Sequence, residues 1–251
     1  MSVSAMTDTP TPSQCGEIKC EQRSREWHLA RLGRPTASML HAIMTPKGKP
    51  TANAARSRYA LDLAVERITM RPTERYCTAA MQRGTDMEPL ARMWYYCQRN
   101  TPVRQVGFWL DADGVSGASP DGLVGERGAI EIKCPGIAEY CRIIATGEVP
   151  PDHELQCHHV MYATGRQWVD YVLFTDVEPF SGWIMRIERN PIVCGYIHKC
   201  VIEFDAGVDR LKQTIIRNAQ LRPEMLVFDP PAINADGEQD MSTGEMKAEE
   251  L

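Results

Sequence analysis

The sequence predicts an α/β protein in which helices flank a mixed central sheet. In the first part of the chain, apolar residues recur with the spacing of a helix face. From Val103 the period changes, and short β-like runs follow that are broken by Gly and Asp. Further helices, two strands and a last helix come after them. This order of elements is typical of one α/β domain built on a mixed sheet.

Capping residues place the helices. Residues 1–20 are rich in Thr, Ser and Pro and predict a flexible arm. Ser24 is a suitable N-cap for a short helix that Gly33 ends, and a second short helix follows Pro35. Asn190 followed by proline begins the last helix. The longer predicted helices are Thr51–Met70, Thr78–Gln98, Gly136–Thr146, Asp152–Ala163 and Asn190–Leu221.

Alternating apolar residues and turn residues place the strands. The predicted strands are V-R-Q-V-G-F-W-L, the stretch around Gly117, D-G-L-V, A-I-E-I-K, Q-W-V-D-Y-V-L-F-T and G-W-I-M-R-I-E-R. No internal repeat interrupts this order. We therefore expect residues 21–225 to form one domain.

The composition is that of a soluble globular protein, with 43% hydrophobic and 24% charged residues. No apolar run reaches the length of about 18 residues that a membrane span needs. The first residues show neither the basic nor the apolar part of a secretory signal, so we expect a cytoplasmic protein. Nine cysteines, an odd number, predict reduced thiols rather than a disulfide framework.

The net charge of −5 is unevenly distributed. Residues 224–251 contain eight acidic residues and one lysine, which leaves 27 basic and 25 acidic residues in the rest of the chain. Residues 23–60 contain eight Arg and Lys against Glu26 alone. We therefore expect a folded part with a basic face and a disordered acidic tail at 226–251. A basic face suits nucleic acid, although an ordinary solvated surface explains the same charges.

One hairpin concentrates charged side chains. It reads A-S-P-D-G-L-V-G-E-R-G-A-I-E-I-K-C-P-G. Side chains two apart on a strand share a face, so Glu131 and Lys133 point one way and Ile130 and Ile132 the other. The turn between the two strands brings Asp121 alongside the polar face. Two carboxylates and one ammonium group therefore converge.

Two neighbouring carboxylates repel each other unless a proton or a cation lies between them. Oxygen ligands completed by water suit Mg²⁺ or Mn²⁺, and a nearby lysine adds positive charge. A metal-activated water and positive charge near the phosphate are what phosphodiester hydrolysis requires. The alternative is a surface hairpin in which Glu131 and Lys133 form a solvated ion pair.

S-P-D-G-L-V followed by E-I-K-C-P resembles the signature of the PD-(D/E)XK nuclease superfamily, and in particular the lambda-exonuclease or YqaJ-type viral recombinase family. Two further blocks are similar to that family and stand in the same order: E-W-H-L-A-R-L-G-R-P-T-A-S, residues 26–38, and R-G-T-D-M-E-P, residues 83–89. The resemblance implies a restriction-endonuclease-like core with a mixed central sheet and flanking helices.

The resemblance also implies roles for individual residues. The metal would be held by Asp121, Glu131, the Ile132 carbonyl and, for a second ion, Glu88. Lys133 would orient the attacking water. The 5′-phosphate of a DNA end would be bound by Arg31, Ser38 and Ser119, and Met81 would be the wedge that separates the strands. The sequence leaves alternatives for three of these residues. Glu88 has the alternative of a helix-surface acid. For Met81 the sequence alone favours a core residue, and for Asp111, another matching acid, it favours part of an ordinary turn.

The run Q-C-H-H-V-M-Y-A-T departs from the family pattern. Gln156 matches the first of two family glutamines, whereas His158 stands where the second is expected. Both are therefore candidate catalytic residues, and the choice between them stays open. His159 is interpreted as a helix histidine with its own hydrogen-bond partner.

The function implied by the resemblance is a Mg²⁺-dependent 5′→3′ exonuclease on double-stranded DNA, with two ions and Mn²⁺ as a possible substitute. It would act as a homotrimeric ring beside a single-strand annealing protein, in phage recombination in a bacterial cytoplasm. Two alternatives are an endonuclease of the same superfamily and an inactive module that binds DNA ends. The predicted end-phosphate residues argue against the first, and the complete set Asp121, Glu131 and Lys133 against the second.

Overall fold

The mixed sheet is the centre of the computed structural model, which describes residues 15–73 and 78–220. The helices in those residues are α1 (Arg25–Arg31), α2 (Leu40–Ile43), α3 (Ala54–Thr69), α4 (Ala79–Arg99), α5 (Ile137–Thr146), α6 (Pro151–Thr164) and α7 (Pro191–Asn218). The strands are β1 (Gly16–Ile18), β2 (Val103–Arg104), β3 (Phe108–Leu110), β4 (Gly117–Ala118), β5 (Gly122–Val124), β6 (Gly128–Lys133), β7 (Trp168–Phe174) and β8 (Gly182–Glu188). The predicted acidic tail, 226–251, and residues 1–14 of the predicted arm lie outside the described residues.

The larger sheet is five-stranded, with the strand order β2-β5-β6-β7-β8. Strands β6 and β7 are parallel, and the other neighbours are antiparallel. A parallel pair needs a crossover connection, which α5 and α6 provide between β6 and β7. The predicted α/β fold on a mixed sheet is thereby confirmed.

A second, three-stranded sheet with the order β1-β3-β4 lies beside the first. Its first strand corrects the predicted arm, because Gly16–Ile18 pair antiparallel with residues 108–110 instead of belonging to a flexible segment. Glu17 also forms an ion pair with Arg104, 2.9 Å between Oε1 and Nη1. A strand of three residues shows no period of its own, and its backbone partners lie about 90 residues further along the chain.

Most predicted helix starts agree with the observed caps. Ser24 Oγ accepts a hydrogen bond from Trp27 N at 3.2 Å, and Asn190 Oδ1 accepts one from Ile192 N at 3.0 Å. Helix α3 differs, because it begins after Asn53, whose side chain accepts from Arg56 N, and not at the predicted Thr51. Asparagine is the stronger N-cap residue of the two.

Strand β6 has one apolar face and one face that carries charged side chains, and both are largely buried. Ile130 and Ile132 pack against Met87, Ala91 and Tyr95 of α4 in one hydrophobic cluster. The opposite face lies under α6, and Glu131 and Lys133 point toward it because side chains alternate along a strand. Packing of Ile130 and Ile132 against α4 thus places Glu131 and Lys133 on the side of the sheet that faces α6. None of the helices in residues 15–73 and 78–220 is long and apolar enough to cross a membrane.

Candidate active site

Three side chains form a closed hydrogen-bonded triangle where β6 meets α6. Lys133 Nζ donates to Glu131 Oε1 at 2.7 Å and to Gln156 Oε1 at 3.0 Å. Gln156 Nε2 donates to the same Glu131 oxygen at 2.6 Å. Glu131 is only 3% exposed, so its carboxylate depends on these partners for the interactions that water would otherwise supply. The arrangement fixes Lys133 and Glu131 relative to each other.

Asp121 immediately precedes strand β5, which is the neighbour of β6 in the sheet. Its Oδ2 accepts a hydrogen bond from the backbone N–H of Ile132 at 2.6 Å. The pairing of Gly122 with Ile130 brings the two segments together. A Cβ at Gly122 would lie 2.0 Å from a side-chain carbon of Val103, so glycine is required for β2 to pack here. The predicted convergence of Asp121 with Glu131 and Lys133 is what the structure shows.

The pKa directions of Asp121 and Lys133 are those expected where two carboxyl groups lie close together. Burial raises the pKa of Asp121 well above its ordinary range, and the charges of Glu131 and Glu88 raise it further. Burial by itself lowers the pKa of Lys133, but Glu131 and Asp121 outweigh that effect, so the pKa of Lys133 is raised. Lys133 is therefore a cation at neutral pH.

These residues fit a divalent cation. Glu131 Oε2 is buried and has no hydrogen-bond partner, which leaves one carboxylate oxygen available to a ligand beside Asp121. Within residues 15–73 and 78–220, no three His, Cys, Asp or Glu side chains lie close enough together to enclose a metal by themselves. Asp121 and Glu131 would supply the carboxylate oxygens, and water would complete the shell. This is the coordination that Mg²⁺ prefers.

Glu88 faces the same region from α4, but basic residues hold it. Its Oε1 lies 2.6 Å from Arg23 Nη2, and its Oε2 lies 3.6 Å from Arg92 Nη1. Glu88 nevertheless contributes to the raised pKa of Asp121. The structure therefore places Glu88 next to the site without joining it to Glu131, and its role toward a second metal stays a prediction.

The predicted end-phosphate residues come together only in part. Arg31 Nη1 lies 3.4 Å from Ser119 Oγ. Ser38 is exposed, and its Oγ lies 3.4 Å from Thr36 Oγ1. Thr36 in turn forms a β-bridge with Gly117, two residues before Ser119. Ser38 is thus connected to the segment that carries Ser119 through Thr36 and Gly117.

Trp27 belongs to this group and was not identified from the sequence as a site residue. Its Nε1–H donates to Ser119 Oγ at 2.8 Å, and the guanidinium carbon of Arg31 lies 4.0 Å from the centre of its ring. The indole therefore positions both groups. The signal was present, because Trp27 and Arg31 are four residues apart and share one face of α1.

His158 is not one of the side chains of the hydrogen-bonded triangle, and its predicted catalytic role stays a prediction. Residues two positions apart in an α-helix are rotated by about 200° about its axis. Gln156 points toward Glu131, so His158 points to nearly the opposite side of α6. The nearest charged group to His158 Nε2 that the structure gives is a carboxylate oxygen of Glu154 at 4.0 Å. Burial lowers the pKa of His158, and the positive charge of Arg189 lowers it further. Gln156 is the residue of the two that reaches the site.

His159 and Asp111 form hydrogen bonds within the β3–β4 region of the fold, both of them with Ser116. His159 is fully buried, and its Nε2 lies 2.9 Å from Ser116 Oγ. Burial lowers the pKa of His159 to about 3, so the imidazole is neutral. Asp111 accepts hydrogen bonds from the backbone N–H groups of Val115 and Ser116 and from Ser116 Oγ. It stabilises the β3–β4 turn and does not reach the carboxylates of the site.

Met81 lies in the first turn of α4 with 57% of its surface exposed. The interpretation of Met81 as a core residue is therefore wrong, because the apolar face of α4 that packs on β6 begins only at Met87. Its predicted role as a wedge between DNA strands remains untested.

Comparison with known proteins gives consistent matches. The sequence model of the "YqaJ-like viral recombinase domain" matches residues 26–167. The crystal structure of an alkaline exonuclease, LHK-Exo, from Laribacter hongkongensis is 36% identical, with a TM-score of 0.71, over 78% of this chain and 98% of that chain. LHK-Exo in complex with dAMP gives the same identity and coverage with a TM-score of 0.72.

A third structure, a phage related exonuclease from Haemophilus somnus 129PT, is similar in fold. It is 18% identical over 72% of this chain and 96% of that chain, with a TM-score of 0.58. No protein of curated function matches the sequence.

Proposed function

Since the chain belongs to the family of YqaJ-like viral recombinase domains, we propose that it is a Mg²⁺-dependent exonuclease that degrades double-stranded DNA in the 5′→3′ direction. It would release 5′-mononucleotides and leave a 3′ single strand. The 36% identity with an alkaline exonuclease over nearly all of that enzyme supports the reaction class. The dAMP bound to that enzyme is consistent with a mononucleotide product.

The short distance along the chain between Ser119 and Asp121 supports an enzyme that acts from a DNA end. Ser119, which contacts Arg31 and Trp27, is separated from Asp121 by Pro120 alone. Two residues of extended chain span roughly 7 Å. The terminal 5′-phosphate and the next phosphate along the strand can therefore contact the two groups at the same time. An enzyme that cuts inside a strand has no use for such a pair of sites.

The residues of the chain have separable tasks in hydrolysis. Asp121, Glu131 and the Ile132 carbonyl would hold Mg²⁺, with Glu88 as the ligand of a second ion. The bound cation supplies Lewis-acid chemistry toward water and phosphate. Lys133, kept cationic and held by Glu131 and Gln156, orients the attacking water and stabilises negative charge on the phosphate. Gln156 holds Lys133 and Glu131 in register.

The wider setting follows from the family. We propose a homotrimeric ring through which duplex DNA enters, with Met81 separating the strands at its end. A ring would allow DNA binding at a modest net charge, because only the residues that line the channel need to be basic. The product strand would pass to a single-strand annealing protein during phage recombination, in the cytoplasm of a bacterial host.

A three-substrate assay tests the function. Purified protein with Mg²⁺ is incubated with a 5′-phosphorylated linear duplex, the same duplex with 5′-hydroxyl ends, and a covalently closed circle. We expect steady loss of the phosphorylated duplex, slower loss of the hydroxyl form, and an intact circle. Cutting of the circle would indicate an endonuclease instead, and binding without cleavage, with Mn²⁺ as well, would indicate an inactive end-binding module.

Arg31→Ala is expected to remove the preference for phosphorylated ends. A hydrogen bond to a charged group contributes about 1.5–3 kcal/mol, which corresponds to a roughly tenfold to hundredfold loss of kcat/KM on the 5′-phosphorylated duplex. The 5′-hydroxyl duplex has no terminal phosphate to bind, so its kcat/KM should change less than threefold. Steady-state kinetics on both substrates measures the difference. An equal loss on both would assign Arg31 to general DNA binding or to folding.

A further inference from the structure

An ion pair joins the segment before α1 to helix α4 at the edge of the active site. Arg23 Nη2 lies 2.6 Å from Glu88 Oε1. The Arg23 side chain is 48% exposed, whereas that of Glu88 is 15% exposed. Arg23 can therefore leave the pair for solvent or for another anion at little cost, while Glu88 stays in place.

The two partners face the space into which Asp121 also points. Arg23, Glu88 and Asp121 line one polar cavity of about 450 Å³, together with Gln22 and Arg92. A DNA strand that is hydrolysed beside Asp121 has to place phosphate groups in or next to this cavity. The guanidinium of Arg23 is thus within the region where substrate charge arrives.

The backbone of Arg23 is held in an unfavourable conformation. Its φ is +73°, in the left-handed region that side chains with a Cβ rarely adopt. The preceding residue is anchored beside the site, because Gln22 Nε2 donates to the carbonyl oxygens of Val106 at 2.8 Å and of Pro120 at 3.0 Å. Pro120 directly precedes Asp121. Strain that the surroundings impose on one residue is concentrated at functional sites, and here it points a guanidinium toward the carboxylates.

The neighbouring carboxylates explain why Arg23 pairs with Glu88. Asp121, Glu131 and Glu88 bring three carboxyl groups to one region, and Arg23 pairs with Glu88 at its edge. A divalent cation at these carboxylates would offset the same charge, and Arg23 would then lie next to positive charge without an anion. The anion that enters with the substrate is a phosphodiester, which a planar guanidinium binds through two parallel hydrogen bonds.

We propose that Arg23 exchanges partners: it pairs with Glu88 before substrate arrives, and it binds a DNA backbone phosphate when cation and substrate are present. The inference rests on the proposed nuclease function and adds a DNA ligand to it. It has a distinctive consequence, since removing the guanidinium should change the affinities for metal and for DNA in opposite directions.

The test is the variant Arg23→Gly, chosen because glycine adopts a φ of +73° without strain. In the absence of DNA, calorimetric titration with Mn²⁺ should show at least threefold tighter binding by the variant. With Ca²⁺ replacing Mg²⁺ and the duplex recovered intact, binding of a 5′-phosphorylated duplex should weaken about tenfold or more. The slope of log K against log salt concentration should become less steep by about 1, as expected for one lost phosphate contact.

Two further variants sharpen the result. Arg142→Ala removes another exposed arginine that pairs with a glutamate at 2.6 Å, and it should change neither affinity. Arg23→Lys keeps the charge but not the paired geometry, so its DNA affinity should fall between those of wild type and Arg23→Gly. A parallel loss of metal and DNA affinity in Arg23→Gly, or no change in either, would overturn the proposal. Failure of the proposed nuclease function is a separate outcome. It would be seen with the wild type alone, as no degradation of DNA in the three-substrate assay.

Discussion

Lys133→Ala is expected to abolish hydrolysis while metal-dependent DNA binding remains. Lys133 touches both Glu131 and Gln156 and carries positive charge into the site. Losing a preorganised group that stabilises transition-state charge typically costs about 10²–10³ in rate, and loss of water orientation adds to this. We therefore expect at least a 10³-fold lower rate of nucleotide release from a 5′-phosphorylated duplex.

Binding distinguishes a catalytic role from a structural one. Arg31, Trp27 and Ser119 are unchanged in the variant, so its affinity for a duplex end with Ca²⁺ should stay within about threefold of wild type. Lys199→Ala removes an exposed lysine of α7 and is the matched control, with an unchanged rate. Near-normal turnover by Lys133→Ala would show that the assigned mechanism is wrong.

The second large effect concerns two carboxylates of the same sheet with opposite consequences for stability. Asp121→Asn should abolish hydrolysis and yet raise the melting temperature of the cation-free protein. The substitution removes a buried carboxylate that the charges of Glu131 and Glu88 disfavour, and the amide oxygen can still accept from Ile132 N–H. A gain of about 1 kcal/mol corresponds to roughly 2–4 °C in a protein of this size.

Asp170→Asn is the matched control. Asp170 is fully buried on β7, but it accepts hydrogen bonds from Arg186 Nε at 2.8 Å, from Arg186 Nη2 at 2.9 Å and from Tyr95 Oη at 2.7 Å. Its charge is therefore compensated, and removing it should cost about 2–3 kcal/mol, or roughly 5–10 °C. Thermal unfolding without divalent cations measures both variants. A lower melting temperature for Asp121→Asn would contradict the inferred repulsion.

The pH dependence of stability provides a second measure of the same repulsion. Because the pKa of Asp121 is raised in the folded state, that state binds more protons than the unfolded state between the ordinary and the raised value. Stability of the cation-free wild type should therefore fall as pH rises through this window. The profile of Asp121→Asn should be flatter there, and saturating Mg²⁺ should flatten that of the wild type.

The sequence by itself determined the fold class and the centre of the site. The period of two along A-I-E-I-K placed Glu131 and Lys133 on one face, and the short turn brought Asp121 beside them. These are local relations, in which a few residues of known geometry leave little freedom. Caps such as Ser24 and Asn190 were predictable for the same reason, since the hydrogen bonds span two or three residues.

The tertiary structure alone decided which distant side chains meet. The choice of Gln156 over His158 depended on how α6 packs on β6, which fixes the rotation of the helix about its axis. Trp27 and Ser119 are 92 residues apart, and Arg23 and Glu88 are 65 apart. Strand β1 likewise exists only through its partner β3. A sequence period specifies which face of an element is apolar, but the packing of elements determines which polar groups those faces bring together.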